Sequence, residues 1–163
     1  MAAPDSAAAR KQIVEIIGDC VFHALGLMET LQEERKALEE QDMDALKLAV
    51  DNKGKCVNDL RTMEDKRRNL CIAAGFPDGP DQMVQMLDWC DEGSVIANCW
   101  QHLMEVAAEC NALNITNGAI IRGRKQQIET SISIIRGGQP EMDTYNRSGR
   151  EPQGHHLRSI AEA

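Results

Sequence analysis

The sequence predicts an all-α fold: long antiparallel helices forming an extended, coiled-coil-like bundle, with one short helix and a flexible C-terminal tail. Three observations carry this. Apolar residues recur at alternating spacings of three and four along most of the chain, and strand-forming residues never alternate over a useful window. Aromatic residues make up only 3% of the chain. The longest periodic stretch, residues 94–136, holds no proline and ends at Gly137-Gly138, with Pro140 just beyond. At 163 residues the chain is large enough for a real core.

Residues 1–9 form a small-residue leader expected to fray. The first helix is expected over residues 10–40, with the seam Ile13, Ile17, Cys20, Ala24, Leu27, Leu31, Glu34 and Leu38. Glu33, Glu34, Arg35, Lys36, Glu39 and Glu40 read as a solvated charged face. Gln41-Asp42 interrupts the pattern, and Asp42 is the expected N-cap of a second helix over residues 43–74. Its seam runs through Leu46, Ala49/Val50, Lys53, Cys56/Val57, Leu60, Met63, Arg67 and Leu70. So short a connection folds the two helices into an antiparallel hairpin. A Gly/Pro turn at residues 75–80 leads to a short helix over 81–90, which should pack over the end of the bundle.

The helix over residues 94–136, its start marked by Ser94, would be about 60 Å long. One row follows Ile96, Trp100, Leu103, Ala107, Cys110, Asn114, Asn117, Ile121, Arg124, Ile128, Ser131 and Ile135. A second follows Cys99, Val106, Leu113, Ile120 and Ile134. Two adjacent rows make a stripe wide enough for more than one partner helix. The stripe is apolar in its N-terminal half and diluted by polar residues after Leu113. Residues 1–138 therefore read as a single bundle domain, and 139–163, poor in large apolar side chains, as a flexible tail.

The net charge is −8, and residues 76–110 carry seven acids and no lysine or arginine. Such a surface repels phosphates and argues against nucleic acid or membrane partners. No apolar run is long enough to span a membrane, and the N-terminus lacks a signal-peptide core, so a cytoplasmic protein is expected. The six cysteines lie mostly on apolar helix faces without a C-x-x-C pair, as core residues do. Cys20/His23 and Cys99/His102 are both C-x-x-H; they would form a zinc site only if the two helices crossed there, and core cysteines are the simpler reading. Trp89 and Trp100 read as packing residues where the short helix meets the long one. No phosphate-binding glycine loop, HExxH, G-x-S-x-G or dinucleotide motif is present, so no enzymatic activity and no cofactor are expected.

The C-terminal third holds Asn111-Ala-Leu-Asn-Ile-Thr-Asn-Gly-Ala-Ile-Ile, then Arg124, then Ile134-Ile-Arg-Gly-Gly-Gln-Pro, then Tyr145-Asn-Arg-Ser-Gly-Arg. The hairpin adds Leu31-Gln-Glu-Glu-Arg-Lys-Ala-Leu-Glu-Glu-Gln-Asp-Met-Asp-Ala-Leu. Together these resemble the FlgN family of flagellar export chaperones over nearly all of residues 10–150. The resemblance implies a cytoplasmic binding protein that holds the C-terminal region of the hook–filament junction proteins FlgK and FlgL before export. It also implies docking on the export-gate protein FlhA through the tail tyrosine, here Tyr145.

A groove on a helix bundle can cover such a segment as an added helix. The diluted stripe supplies the expected binding residues: Leu113, Ile120, Ile121, Ile128, Ile132 and Ile135 as anchors, with Asn114, Asn117 and Arg124 as polar positions in an interface that is wet when empty. The same stripe read as core leaves Asn114 and Asn117 as register-setting residues. A structural adaptor that self-associates through the stripe as a homodimer is the competing function, and a metal- or redox-dependent bundle is the third.

Overall fold

The structure, a computed structural model, describes residues 5–137. Four helices occupy them: α1 (Ser6–Glu40), α2 (Met43–Ala73), α3 (Gln82–Cys90) and α4 (Val95–Ile135), with no strand among the described residues. The all-α class and all four elements are as expected from the sequence. The chain divides into two compact units, Met1–Lys125 and Gln126–Ala163. The expected tail from residue 139 lies outside the described residues.

α1 begins earlier than periodicity alone suggested. Asp5 caps it, its Oδ1 accepting from the Ala8 N–H at 2.6 Å. Alanine is the strongest helix former, so residues 6–9 wind into α1 instead of fraying, and Ala9 is fully buried. At the other end Gln41 adopts a left-handed conformation, φ 59°. Its N–H donates to the Leu38 carbonyl and the Asp42 N–H to Ala37, which closes α1 in a Schellman turn. The Asp42 carboxylate then accepts from the Asp44 and Ala45 N–H groups and starts α2, as the sequence indicated. Two residues thus reverse the chain, and α1 and α2 pack closely against each other. α2 ends in a second Schellman turn around Gly75, φ 100°, with the Phe76 N–H donating to Cys71.

α3 packs over this end of the hairpin. Met83, Met86 and Cys90 join Ala9, Ile13, Ile17, Leu70, Cys71 and Ile96 in one core cluster. Arg67, an anomaly in the α2 seam, is buried at its edge because every face of its guanidinium is engaged. It forks onto the Glu64 carboxylate at 2.7 and 2.8 Å, donates to Gln82 Oε1 at 3.4 Å, and lies over the Trp100 ring at 5.3 Å. Trp100 is therefore a packing residue, and Trp89 stacks obliquely on Phe76.

α4 starts where Ser94 marked it, the Asn98 N–H donating to the Ser94 carbonyl, but the capping side chain is that of Asp91. Gly93 and Ser94 both take positive φ, and the Asp91 carboxylate reaches past them to accept from the Ile96 and Ala97 N–H groups. α4 then runs parallel to α1 in fixed register. Cys110 Sγ donates to the Ala24 carbonyl and Asn117 Nδ2 to that of Leu31, both 86 residues apart. Between them lies the second core cluster, Cys20, Ala24, Leu31, Leu103, Val106 and Cys110. The same offset sets Arg124 level with Leu38, almost at the end of α1, which is where the first unit closes.

Cys20, Cys71, Cys90 and Cys110 are buried core residues, and Cys99 is exposed. Burial raises the pKa of all four buried thiols; at Cys71 the Arg67 guanidinium pulls the other way. A thiol raised in the fold holds its proton more tightly there than in the unfolded chain. Its contribution is complete below the ordinary thiol value of 9.0 and is lost as the pH climbs past it. Urea unfolding is therefore expected to show a lower midpoint at about pH 10 than at about pH 8, and an unchanged midpoint would contradict four buried thiols.

Candidate docking groove

Away from Arg67, the three long helices meet at a second buried polar point. Glu34, which the sequence placed both in the seam and on the charged face, is only 1% exposed. It is buried because both its oxygens are used: Lys53 Nζ donates to Oε1, and Asn117 Nδ2 donates to Oε2 at 2.8 Å. Its neighbours on the charged run behave as a solvated face, with Arg35–Glu39 and Lys36–Glu40 pairing one turn apart. Asn117 is equally buried and also donates to the Leu31 carbonyl at 2.9 Å, while its Oδ1 lacks a hydrogen-bond partner. A partly satisfied polar cluster adds little net stability but penalises any slip of one helix past another. Glu34, Lys53 and Asn117 thus register α1, α2 and α4.

Beside this cluster an apolar cavity of about 590 Å³ opens between the same three helices. α1 provides its floor with Ala24, Leu27 and Leu31. α2 forms one wall with Val50, Lys53, Gly54, Val57 and Leu60, and α4 the other with Leu103, Ala107, Cys110, Asn111 and Asn114. Val50 and Val57 stand 45% and 39% exposed, unusual for β-branched apolar residues lining a trough. Gly54 sits deep inside α2, where glycine costs about 1 kcal/mol against alanine, and a Cβ there would meet nothing within 4 Å. A separate cavity of about 420 Å³ lies between α1 and α4, lined by residues that include Val14, Gly18, Val95, Cys99 and His102.

The expected binding residues fall into three groups. Asn114 lines the groove. Asn117 is buried in the polar cluster, the register role weighed for it from the sequence, and Leu113, Ile120 and Arg124 are half-buried, Leu113 against the second core cluster. Ile121, Ile128, Ile132 and Ile135 are exposed, Ile121 at 43% and Ile128 at 60%. Within the second unit Ile132 lines a shallow depression with Glu129, Ser133 and Arg136. Tyr145 lies outside the described residues. Sequence reasoning missed the α1 and α2 contributions altogether. The signal was present in α2, where the doubled seam positions Ala49/Val50 and Cys56/Val57 set a second apolar row beside the one that faces α1.

No group of three His, Cys, Asp or Glu side chains among the described residues is arranged to hold a metal ion, and the C-x-x-H pairs are separated by burial: Cys20 is in the core and Cys99 on the surface. His23 instead faces the Asp59 carboxylate at 3.7 Å. No described helix is long and apolar enough to cross a membrane.

The fold is thus an all-α bundle with an open apolar trough beside a buried polar cluster. The FlgN protein family matches residues 9–153, and the chain belongs to it. That makes it a flagellar export chaperone, of a family that binds flagellar hook-associated proteins and is not enzymatic. No curated protein and no solved structure matches the chain.

Proposed function

We propose that this chain is the cytoplasmic chaperone of the hook–filament junction proteins FlgK and FlgL, covering their C-terminal region until delivery to the export gate. The observation that carries the reading is the trough itself. Three helices are packed as a bundle is, and the place of a fourth is left open and apolar. A subunit destined for a helical lattice has terminal segments that associate prematurely, and a helix from it laid in the trough would be withdrawn from that reaction. Burying an anchor the size of leucine or valine gains about 1.5–3 kcal/mol gross. Ordering and rigid-body costs remove much of this and leave an affinity of about micromolar, which permits release.

The exposed isoleucines of α4, Ile121, Ile128, Ile132 and Ile135, are proposed as further contacts, considered separately from the trough. Titration of purified FlgK and of FlgL into the full chain tests the function: each is expected to bind one chain at about micromolar Kd. Failure of both to bind would overturn the reading, and self-association of the chaperone with no hook-protein binding would favour an adaptor. Tyr145 is proposed to dock on FlhA. Tyr145→Ala is then expected to leave capture intact while reducing export, and loss of both together would refute a separate docking role.

A further inference from the structure

The trough's walls say what kind of segment it takes. On α2 the lining residues Val50, Lys53, Gly54 and Val57 stand at positions i, i+3, i+4 and i+7. On α4, Ala107, Cys110, Asn111 and Asn114 repeat the same spacing. Four residues so spaced form the diamond-shaped hole into which one helix receives a side chain of another. An extended peptide, with side chains alternating at a period of two, does not match a pair of such holes.

Gly54 occupies one corner of the α2 hole, and nothing in the free bundle requires a glycine there. Gly26, by contrast, has its position against α1's neighbour, where a Cβ would touch Cys56 Sγ at 4.0 Å. Nothing comparable faces Gly54. Resting on the reading that the trough holds a hook-protein segment, we propose that Gly54 enlarges the α2 hole to admit a large apolar side chain, and that the guest is an α-helix presenting that side chain there. Lys53 completes the charge pattern. It is the one ionised side chain of the lining, and its ammonium keeps N–H groups beyond the one given to Glu34. A guest with a carboxylate next to its large apolar residue complements this hole, and one with lysine or arginine there does not.

The test compares Gly54→Ala, Gly54→Leu and Gly18→Leu, each by thermal unfolding and by titration with purified FlgK and FlgL. Gly18 also faces open space, but in the cavity between α1 and α4. Gly54→Ala is expected to raise Tm by about 2–4 °C, as removal of a helix-interior glycine should, while weakening capture several-fold. Gly54→Leu fills the hole and is expected to weaken capture about a hundredfold with helicity unchanged. Gly18→Leu is expected to bind as the unmodified chain does. Equal capture by a folded Gly54→Leu protein overturns the inference and leaves the function standing. Loss on Gly18→Leu but not on Gly54→Leu places the guest in the other cavity and also overturns it. Absence of binding by the unmodified chain overturns the function first and this inference with it.

Discussion

Lys53→Met is expected to destabilise the fold by about 3 kcal/mol, the low end of the range for breaking a buried ion pair. The variant keeps the volume of the side chain and removes only its ammonium. The Glu34 carboxylate then stays 1% exposed with Asn117 as its remaining donor, an uncompensated charge inside a helix interface. Lys53 is itself about a quarter exposed, so part of the loss is softened by nearby water. For a chain of this size the change corresponds to about 6–12 °C in Tm. Adding Glu34→Leu should recover most of it, because two matched apolar residues replace a buried pair at little cost. Thermal or urea unfolding of the single and double variants checks both statements. A double variant as unstable as the single one would show that Glu34 contributes through something other than its pairing.

Val57→Asp has the largest expected effect on function. Val57 is 39% exposed in the free chain, so an aspartate there meets water and the fold tolerates it. With a guest seated, the same carboxylate would be closed against Leu27, Leu60 and Leu103, and it would compete for the Lys53 ammonium, one helical turn away, that the guest's own carboxylate needs. Burial of a charge in so apolar a lining is unfavourable by several kcal/mol, and about 2.7 kcal/mol already weakens binding a hundredfold. Capture of FlgK and FlgL is expected to disappear at concentrations where the unmodified chain is saturated, with circular dichroism unchanged. Ile128→Asp, measured alongside, reports on the isoleucine edge by itself. If Val57→Asp binds normally and Ile128→Asp does not, the docking site is on that edge and not in the trough.

The sequence showed the helices more clearly than the site, for a physical reason. Helix ends are local events. Asp42 as a cap, Gly75 and Gly137 as left-handed stops and the Gly/Pro turn after α2 act within a few residues and can be read without knowing the fold. At the start of α4, Ser94 marks the position correctly, but the capping carboxylate comes from Asp91, reaching over a two-residue left-handed turn that the sequence does not announce. The groove is a tertiary property. α4's stripe announces an apolar edge, but whether Leu113 faces α1 or a guest depends on the register that Cys110 and Asn117 set against Ala24 and Leu31. The polar interruptions were visible one by one, Glu34 in one seam, Lys53 in the next and Asn117 in the third. Their meaning as a single cluster appears only when three helices are aligned.

Amide hydrogen exchange of the full chain with and without saturating FlgK tests the proposed seat most directly. The expected result is slowed exchange over residues 50–60 of α2 and 103–114 of α4, the two walls of the trough. Slowing elsewhere, with both walls exchanging as in the free protein, would contradict it.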